Sequence, residues 1–166
     1  MSAIAPSRQG RETAGTRPRK PATILVLSVM LGILVVGAFE AARAMITEPL
    51  APFGMSTEWL VRVPVDTYFW PGMFFVGMTL ASVVTVVGLV FRWEWDWASG
   101  IESRIGYRWP WLGALSIGVV LLAFEIIELF VVPFHPVMHP VLITWALAII
   151  WLPLTRSGRE HLRLTR

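Results

Sequence analysis

The chain has 166 residues, of which 55% are apolar and 15% are charged, with a formal net charge of +3. A soluble domain usually carries about 25% charged residues, and the basic residues here gather in two tails and one loop, which indicates membrane flanks and excludes a nucleic-acid partner. The absence of cysteine excludes disulfides, thiolate nucleophiles and iron–sulfur ligation.

The N-terminal part of the chain predicts a tail followed by a first span. Residues 1–20 are rich in Ser, Gly, Pro and Arg without apolar periodicity, which predicts a disordered basic tail. The apolar segment at about residues 22–46 is long enough to cross a hydrocarbon core of about 30 Å as a helix. A cleaved signal peptide is the alternative, because Ala42-Arg43-Ala44 imitates a cleavage site. The length of the segment and the nearby Glu40 favour a retained span.

Three further apolar segments predict spans at about residues 69–91, 110–132 and 137–154. The second span opens with Trp70-Pro71-Gly72, and the third opens with Trp109-Pro110. Proline suits the first turn of a helix, where its missing N–H would have no partner. The sequence therefore predicts an all-α fold, a four-helix transmembrane bundle.

The distribution of Lys and Arg in the short flanks predicts the orientation of this bundle. Five basic residues precede the first span, three lie at 92–109 and four follow the last span, whereas the 47–68 loop has only Arg62. Both termini are therefore expected in the cytoplasm. The membrane domain would cover residues 21–155, with basic cytoplasmic tails at 1–20 and 156–166 and the lipid bilayer as its main partner.

Four ionisable side chains interrupt the apolar segments: Glu40 and Arg43 in the first, and Glu125 and Glu128 in the third. Each pair is spaced i,i+3 and so occupies one helix face, and the predicted orientation brings both pairs toward the outer side. A charge at mid-bilayer costs about 2.5–3.5 kcal/mol. Arg43 can neutralise Glu40 or Glu128, so at least one acid must be protonated, bonded to a histidine or holding a cation.

The loops bring further polar side chains to the same level, namely His135, His139 and Asp66. The first interpretation of this group is structural, a polar cluster that fixes helix register. The second is a pocket for a small or lipidic ligand, with candidate residues Glu40, Arg43, Asp66, Glu125, Glu128 and His139. The third is metal coordination, which suits carboxylate and imidazole ligands, by His135, His139, Glu125 and Glu128. The fourth is translocation of a proton or cation.

No nucleotide, hydrolase or zinc-protease motif is present, and no cofactor is expected. The leading hypothesis is a non-enzymatic membrane protein. It would be an accessory subunit, with a larger membrane protein or a further copy as partner, or a binder of a small or lipidic ligand. Ion translocation is the alternative, although the inner half offers only hydroxyls, which usually bond their own helix. A metal-dependent membrane enzyme is third.

Several short motifs resemble a family of small bacterial four-helix integral membrane proteins of unknown function. In that family a W-L pair leads to P-F-x-D-Y-x-x-P-G and the second span, as Trp59-Leu60 and Pro64 to Gly72 do here. The similarity continues with Trp109-Pro110-Trp111, a late Glu128 in the third span, and His139-Pro140 at the start of the fourth. It covers roughly residues 24–152.

The resemblance implies a four-helix bundle in the bacterial inner membrane, but no activity. It makes Asp66, Glu128 and His139 the candidates for shared roles. The chain departs from the family pattern by carrying Glu125 as well, by Val65 in place of Phe, by an inserted Thr67 and by His139 in place of Gln.

Overall fold

A computed structural model describes residues 22–91 and 95–164, so the tail expected at residues 1–20 lies outside it. The described residues confirm the all-helical prediction, and their only bridge of strand type joins Tyr107 to Arg163. The α-helices are α1 (Ala22–Thr47), α2 (Phe69–Phe91), α3 (Ser99–Ile105), α4 (Trp109–Val131), α5 (Met138–Leu154) and α6 (Arg156–Leu162).

Three of these helices, α1, α2 and α4, are each long and apolar enough to cross a membrane. With 17 residues, α5 meets that criterion only together with α6, from which it is bent by 60°. The described residues therefore contain three candidate spans, or four if the bent pair is one span. All four long helices begin and end within one residue of the predicted apolar segments.

The long helices pack side by side, α1 mainly against α2 and α4 mainly against α5. Contacts of α2 with α4 and of α1 with α5 complete the group. On α1 five of the eight buried residues recur at intervals of three and four, which places them on one helix face. They are Ile24, Leu27, Leu31, Leu34 and Ala38. This face forms the core together with Ile117 of α4 and Ile149 of α5.

The outward faces of the long helices are apolar as well. Val36, Phe130 and Trp151 are 64%, 70% and 70% exposed, and many other large apolar side chains accompany them. A soluble protein rarely exposes contiguous apolar surface of this extent, whereas a helix that is hydrophobic all round suits a membrane. The surface and the helix lengths together indicate a multi-pass membrane protein.

Glycines allow close approach at two helix pairs. A Cβ atom on Gly118 of α4 would lie 2.7 Å from Cγ1 of Ile150 on α5, and one on Gly113 would lie 2.7 Å from Oγ1 of Thr85 on α2. Small residues therefore allow compact helix packing at these positions. In contrast, a Cβ atom on Gly32 or Gly37 of α1 would meet no atom within 4 Å.

One end of the helices carries the 48–68 loop, and we call it the loop end; α1 and α4 end there and α2 and α5 begin there. The loop holds 3₁₀ turns at Pro52–Gly54 and Thr57–Arg62. Arg62 Nη1 donates to the Phe130 carbonyl at 3.0 Å, and the buried Tyr68 hydroxyl donates to the Ser56 carbonyl at 2.8 Å. The first bond ties the loop to the end of α4, and the second bond closes the loop on itself. Contacts between α1 and the first 3₁₀ turn place the loop against α1 as well.

The opposite end carries α6, which the sequence had suggested only as a basic tail. Thr155 caps this helix by accepting a hydrogen bond from the Gly158 N–H at 3.2 Å. The Arg108 N–H donates to the Leu162 carbonyl at 2.8 Å, which ties α6 to the start of α4. Residues 156–162 are therefore part of the folded unit.

Candidate functional site

A cavity of about 450 Å³ lies at the loop end between α1, α4 and α5. We call it the acidic cavity, because three carboxylates line it: Glu40, Glu125 and Glu128. Among its described lining residues there is no Lys, Arg or His. The rest of the wall is almost entirely apolar and includes Phe53, Met55, Phe75, Met138 and Trp145. The structure therefore brings together three of the side chains that the sequence singled out.

Glu125 lies on the face of α4 that also carries the buried Ala114, Ile117 and Leu121. This three-and-four spacing places its carboxyl group in line with the core rather than toward the lipid. Its side chain is 1% exposed, and its Oε2 atom has no hydrogen-bond partner among the described residues. A buried polar atom without a partner costs about 1–3 kcal/mol. A buried acid group with one unpartnered oxygen thus borders the cavity.

Glu128 follows one turn later on α4 and is partly buried. It also lines a second cavity of about 310 Å³, whose wall includes Tyr68, Phe74 and Phe124. Burial, and in addition the negative charge of Glu128, raise the pKa of the Tyr68 phenol above its usual value. Glu128 therefore lines both cavities and acts electrostatically on the Tyr68 phenol of the second one.

Glu40 forms an ion pair with Arg43 on its own helix, which is one of the two arrangements that the sequence allowed. The distance from Arg43 Nη2 to Glu40 Oε2 is 2.9 Å, and Arg43 Nε donates to the same oxygen at 3.0 Å. Both side chains are more than half exposed. Arg43 does not line the acidic cavity but a separate groove against α2. The guanidinium therefore neutralises the carboxylate at the rim and leaves Glu125 and Glu128 inside.

The two histidines have separate environments. His135 Nδ1 accepts hydrogen bonds from the N–H groups of Val137 and Met138 at 3.3 and 3.2 Å, and so caps the start of α5. His139 is 4% exposed, has no partner for Nε2 among the described residues, and packs edge-on against Phe134. Neither ring lines the acidic cavity.

The described residues contain no group of three or more His, Asp or Glu side chains arranged to hold a metal ion. The set proposed from the sequence is thus not assembled as metal ligands; it consisted of Glu125, Glu128, His135 and His139. Asp66 is not part of the site either, because it is exposed in the loop and lines neither cavity.

Two of the hydroxyl groups farther from the loop end bond to carbonyl groups of their own helices. Thr79 donates to the Phe75 carbonyl at 2.8 Å, and Thr144 donates to the Pro140 carbonyl at 2.7 Å. Thr85 is buried against Gly113, and Ser82 is buried without a partner among the described residues. None of these hydroxyls lines the acidic cavity.

Sequence reasoning missed the apolar side of the site. Trp145 of α5 and Gly37 of α1 line the acidic cavity, although neither carries charge or a motif. A partial signal was available, because Gly37 lies three residues before Glu40 on the same helix face. No comparable signal points to Trp145, since its role depends on how α5 packs against α1 and α4.

Comparison with protein-family models, with curated proteins and with solved structures finds no match to this chain. The resemblance to small bacterial four-helix membrane proteins therefore stays a prediction.

Proposed function

We propose that the chain is a four-helix transmembrane bundle of the bacterial inner membrane, with both termini in the cytoplasm. The apolar outer faces of the long helices support the membrane setting. The excess of Lys and Arg in the tails and the 92–109 loop, against the single Arg62 of the 47–68 loop, supports the orientation. In this orientation the loop end faces outward. A reporter fused after Arg166 is expected to be active in the cytoplasm, and periplasmic activity would contradict the orientation.

In this setting the protein acts as a non-enzymatic binder of a small or lipidic ligand, which occupies the acidic cavity. One observation carries the proposal: Glu125 lines the cavity, is almost fully buried and has no hydrogen-bond partner for Oε2 among the described residues. Retaining such a group in a core costs stability. A ligand that supplies the missing partner gives a physical reason for its presence.

The size and composition of the cavity support the same conclusion. Its volume of about 450 Å³ lies within the range of about 300–1,000 Å³ that is typical of ligand sites. Such sites are mostly apolar with a few polar groups that fix orientation, which describes this wall. Ile33 of α1 and Val141 of α5 line the cavity and are also exposed, so a ligand can enter sideways from the lipid.

A pair of glycine substitutions tests this function. Gly37→Phe adds a ring at a position that lines the cavity, whereas Gly32→Phe adds the same ring on the same helix at a position that does not. Neither new Cβ atom meets an obstacle within 4 Å, and both changes raise helix propensity equally. The measurement is native mass spectrometry of the full chain extracted with its membrane lipids.

We expect a retained small molecule in wild type and Gly32→Phe, and its loss in Gly37→Phe. The same retained species in all three proteins, or none in wild type, would contradict the proposed function. An accessory role beside a larger membrane protein, or in a homo-oligomer, stays a prediction; it is tested by purification in mild detergent and by the molecules that accompany the chain.

A further inference from the structure

We propose that the ligand of the acidic cavity is a hydrophobic amine, a single protonated nitrogen carried on an apolar body. This inference rests on the proposed function, since it names the chemical class that the same site would accept. The ligand would combine a positive charge, a hydrogen-bond donor and an apolar body.

The charge of the wall determines the sign of the ligand. Glu125 and Glu128 line the cavity without a basic side chain among the described lining residues, and Glu40 is already paired with Arg43. An anionic ligand would add a further negative charge to a site of low dielectric, where repulsion is strong. A cation has the opposite effect, because it compensates carboxylates that lack a counter-charge.

The unpartnered oxygen of Glu125 indicates that the ligand carries a hydrogen-bond donor. Glu125 Oε2 has no partner among the described residues, and an ammonium N–H can donate a charge-assisted hydrogen bond to it. A neutral molecule with a hydroxyl group could donate as well, but it would leave the charge of the cavity uncompensated. A protonated amine satisfies both requirements with one atom.

The apolar wall favours a ligand with an apolar body and disfavours a bare metal ion. Hard cations such as Ca²⁺ need six to eight oxygen ligands, whereas this wall is almost entirely carbon and sulfur apart from its carboxylates. Phe53, Phe75 and Trp145 provide aromatic faces, which attract alkylammonium groups by cation–π interaction. Met45 and Met138 add flexible side chains that adapt to an irregular apolar body.

The test uses the full chain in nanodiscs of zwitterionic phosphatidylcholine and three radiolabelled probes with the same chain length. N,N-dimethyldodecylamine carries the protonated nitrogen, 1-dodecanol is neutral and dodecanoate is anionic. Saturable binding is measured above the partition into empty nanodiscs. The variants are Glu125→Gln and Glu128→Gln, which remove each cavity charge at nearly constant volume. The control is Glu58→Gln, at an exposed loop position outside the cavity.

We expect saturable binding of the amine alone, with equal affinity in wild type and Glu58→Gln. Hydrogen bonds to charged groups contribute about 1.5–3 kcal/mol, so Glu125→Gln should weaken binding by about 10-fold to 100-fold. Glu128→Gln should weaken it in the same direction and provides the second test if Glu125→Gln does not fold.

Equal binding of dodecanol and the amine, or amine binding that both cavity variants retain, would overturn the inference. The amine class is also wrong if no probe binds while Gly37→Phe still removes a molecule retained from the cell. If Gly37→Phe still removes a retained molecule or abolishes probe binding in any of these cases, the acidic cavity remains a binding site for another class of ligand. If Gly37→Phe changes neither the retained molecules nor probe binding, the proposed function itself fails.

Discussion

Replacing Glu125 by leucine should make the ligand-free protein more stable. The side chain is 1% exposed and its Oε2 atom has no hydrogen-bond partner among the described residues. Removing a buried polar group without a partner recovers about 1–3 kcal/mol, and replacement by an apolar group of similar volume avoids a new cavity. Glu125→Leu should therefore raise the free energy of unfolding by about 1–3 kcal/mol. Glu125→Gln should raise the free energy of unfolding by less, because its amide also stays buried without partners.

The measurement is equilibrium unfolding in mixed micelles after detergent exchange has removed bound small molecules, since a ligand would stabilise the wild type by mass action. Glu58→Leu is the control for the same chemical change at an exposed position, and it should stay within about 0.5 kcal/mol of wild type. If Glu125→Leu is instead less stable than wild type by 1 kcal/mol or more, Glu125 makes favourable bonds in the folded state, and the reasoning that leaves it free for a ligand is refuted.

Three other predictions concern packing, capping and electrostatics. Gly118→Val should destabilise the protein by about 1–3 kcal/mol relative to Gly77→Val, because only the Gly118 Cβ would contact α5; equal thermal unfolding of the two variants would contradict this packing. Glu102 Oε1 accepts the first N–H of α4 at 2.7 Å, so Glu102→Ala should cost about 0.5–2 kcal/mol in chemical unfolding, and an unchanged midpoint would show that the bond is not formed. The pKa of Tyr68 should fall toward its usual value in Glu128→Gln, since one of the two causes that raise it is removed. Ultraviolet titration of the phenol measures this pKa, and an unchanged titration would show that Glu128 does not influence it.

The positions of the long helices could be predicted from sequence because each depends on local properties. The segment from Ala22 to Thr47 is apolar over more than the length of a bilayer core, and proline near the start of α4 marks a first turn. The ion pair of Glu40 with Arg43 was also predictable, since i,i+3 neighbours on one helix meet without any tertiary contact.

Roles that depend on tertiary packing could not be predicted. The long helices are apolar on nearly every face, so periodicity alone does not show that Glu125 points inward while Glu40 stays exposed. His135 looked like a metal ligand, but its ring nitrogen caps α5, a local bond that competes with ligation. Trp145 lines the cavity only through the packing of α5 beside α1 and α4, which no local pattern shows.

The most direct test of the central claim is modification by a lipid-soluble carbodiimide, which enters apolar sites and adds to carboxyl groups in their neutral form. A buried carboxyl without a counter-charge or donor is far less costly as the neutral acid than as the carboxylate. The reagent therefore tests two features of Glu125 in the ligand-free protein. Its carboxyl group is neutral there, because no bound cation compensates the carboxylate, and it is reached from the lipid through the acidic cavity.

Peptide mass spectrometry after brief treatment of the membrane-embedded protein should show the added reagent on Glu125. The rate of this modification should be lower in Gly37→Phe than in wild type and should be unchanged in Gly32→Phe. An inert Glu125 in the folded protein, or one that reacts equally in both glycine variants, would mean that no lipid-accessible acidic cavity exists.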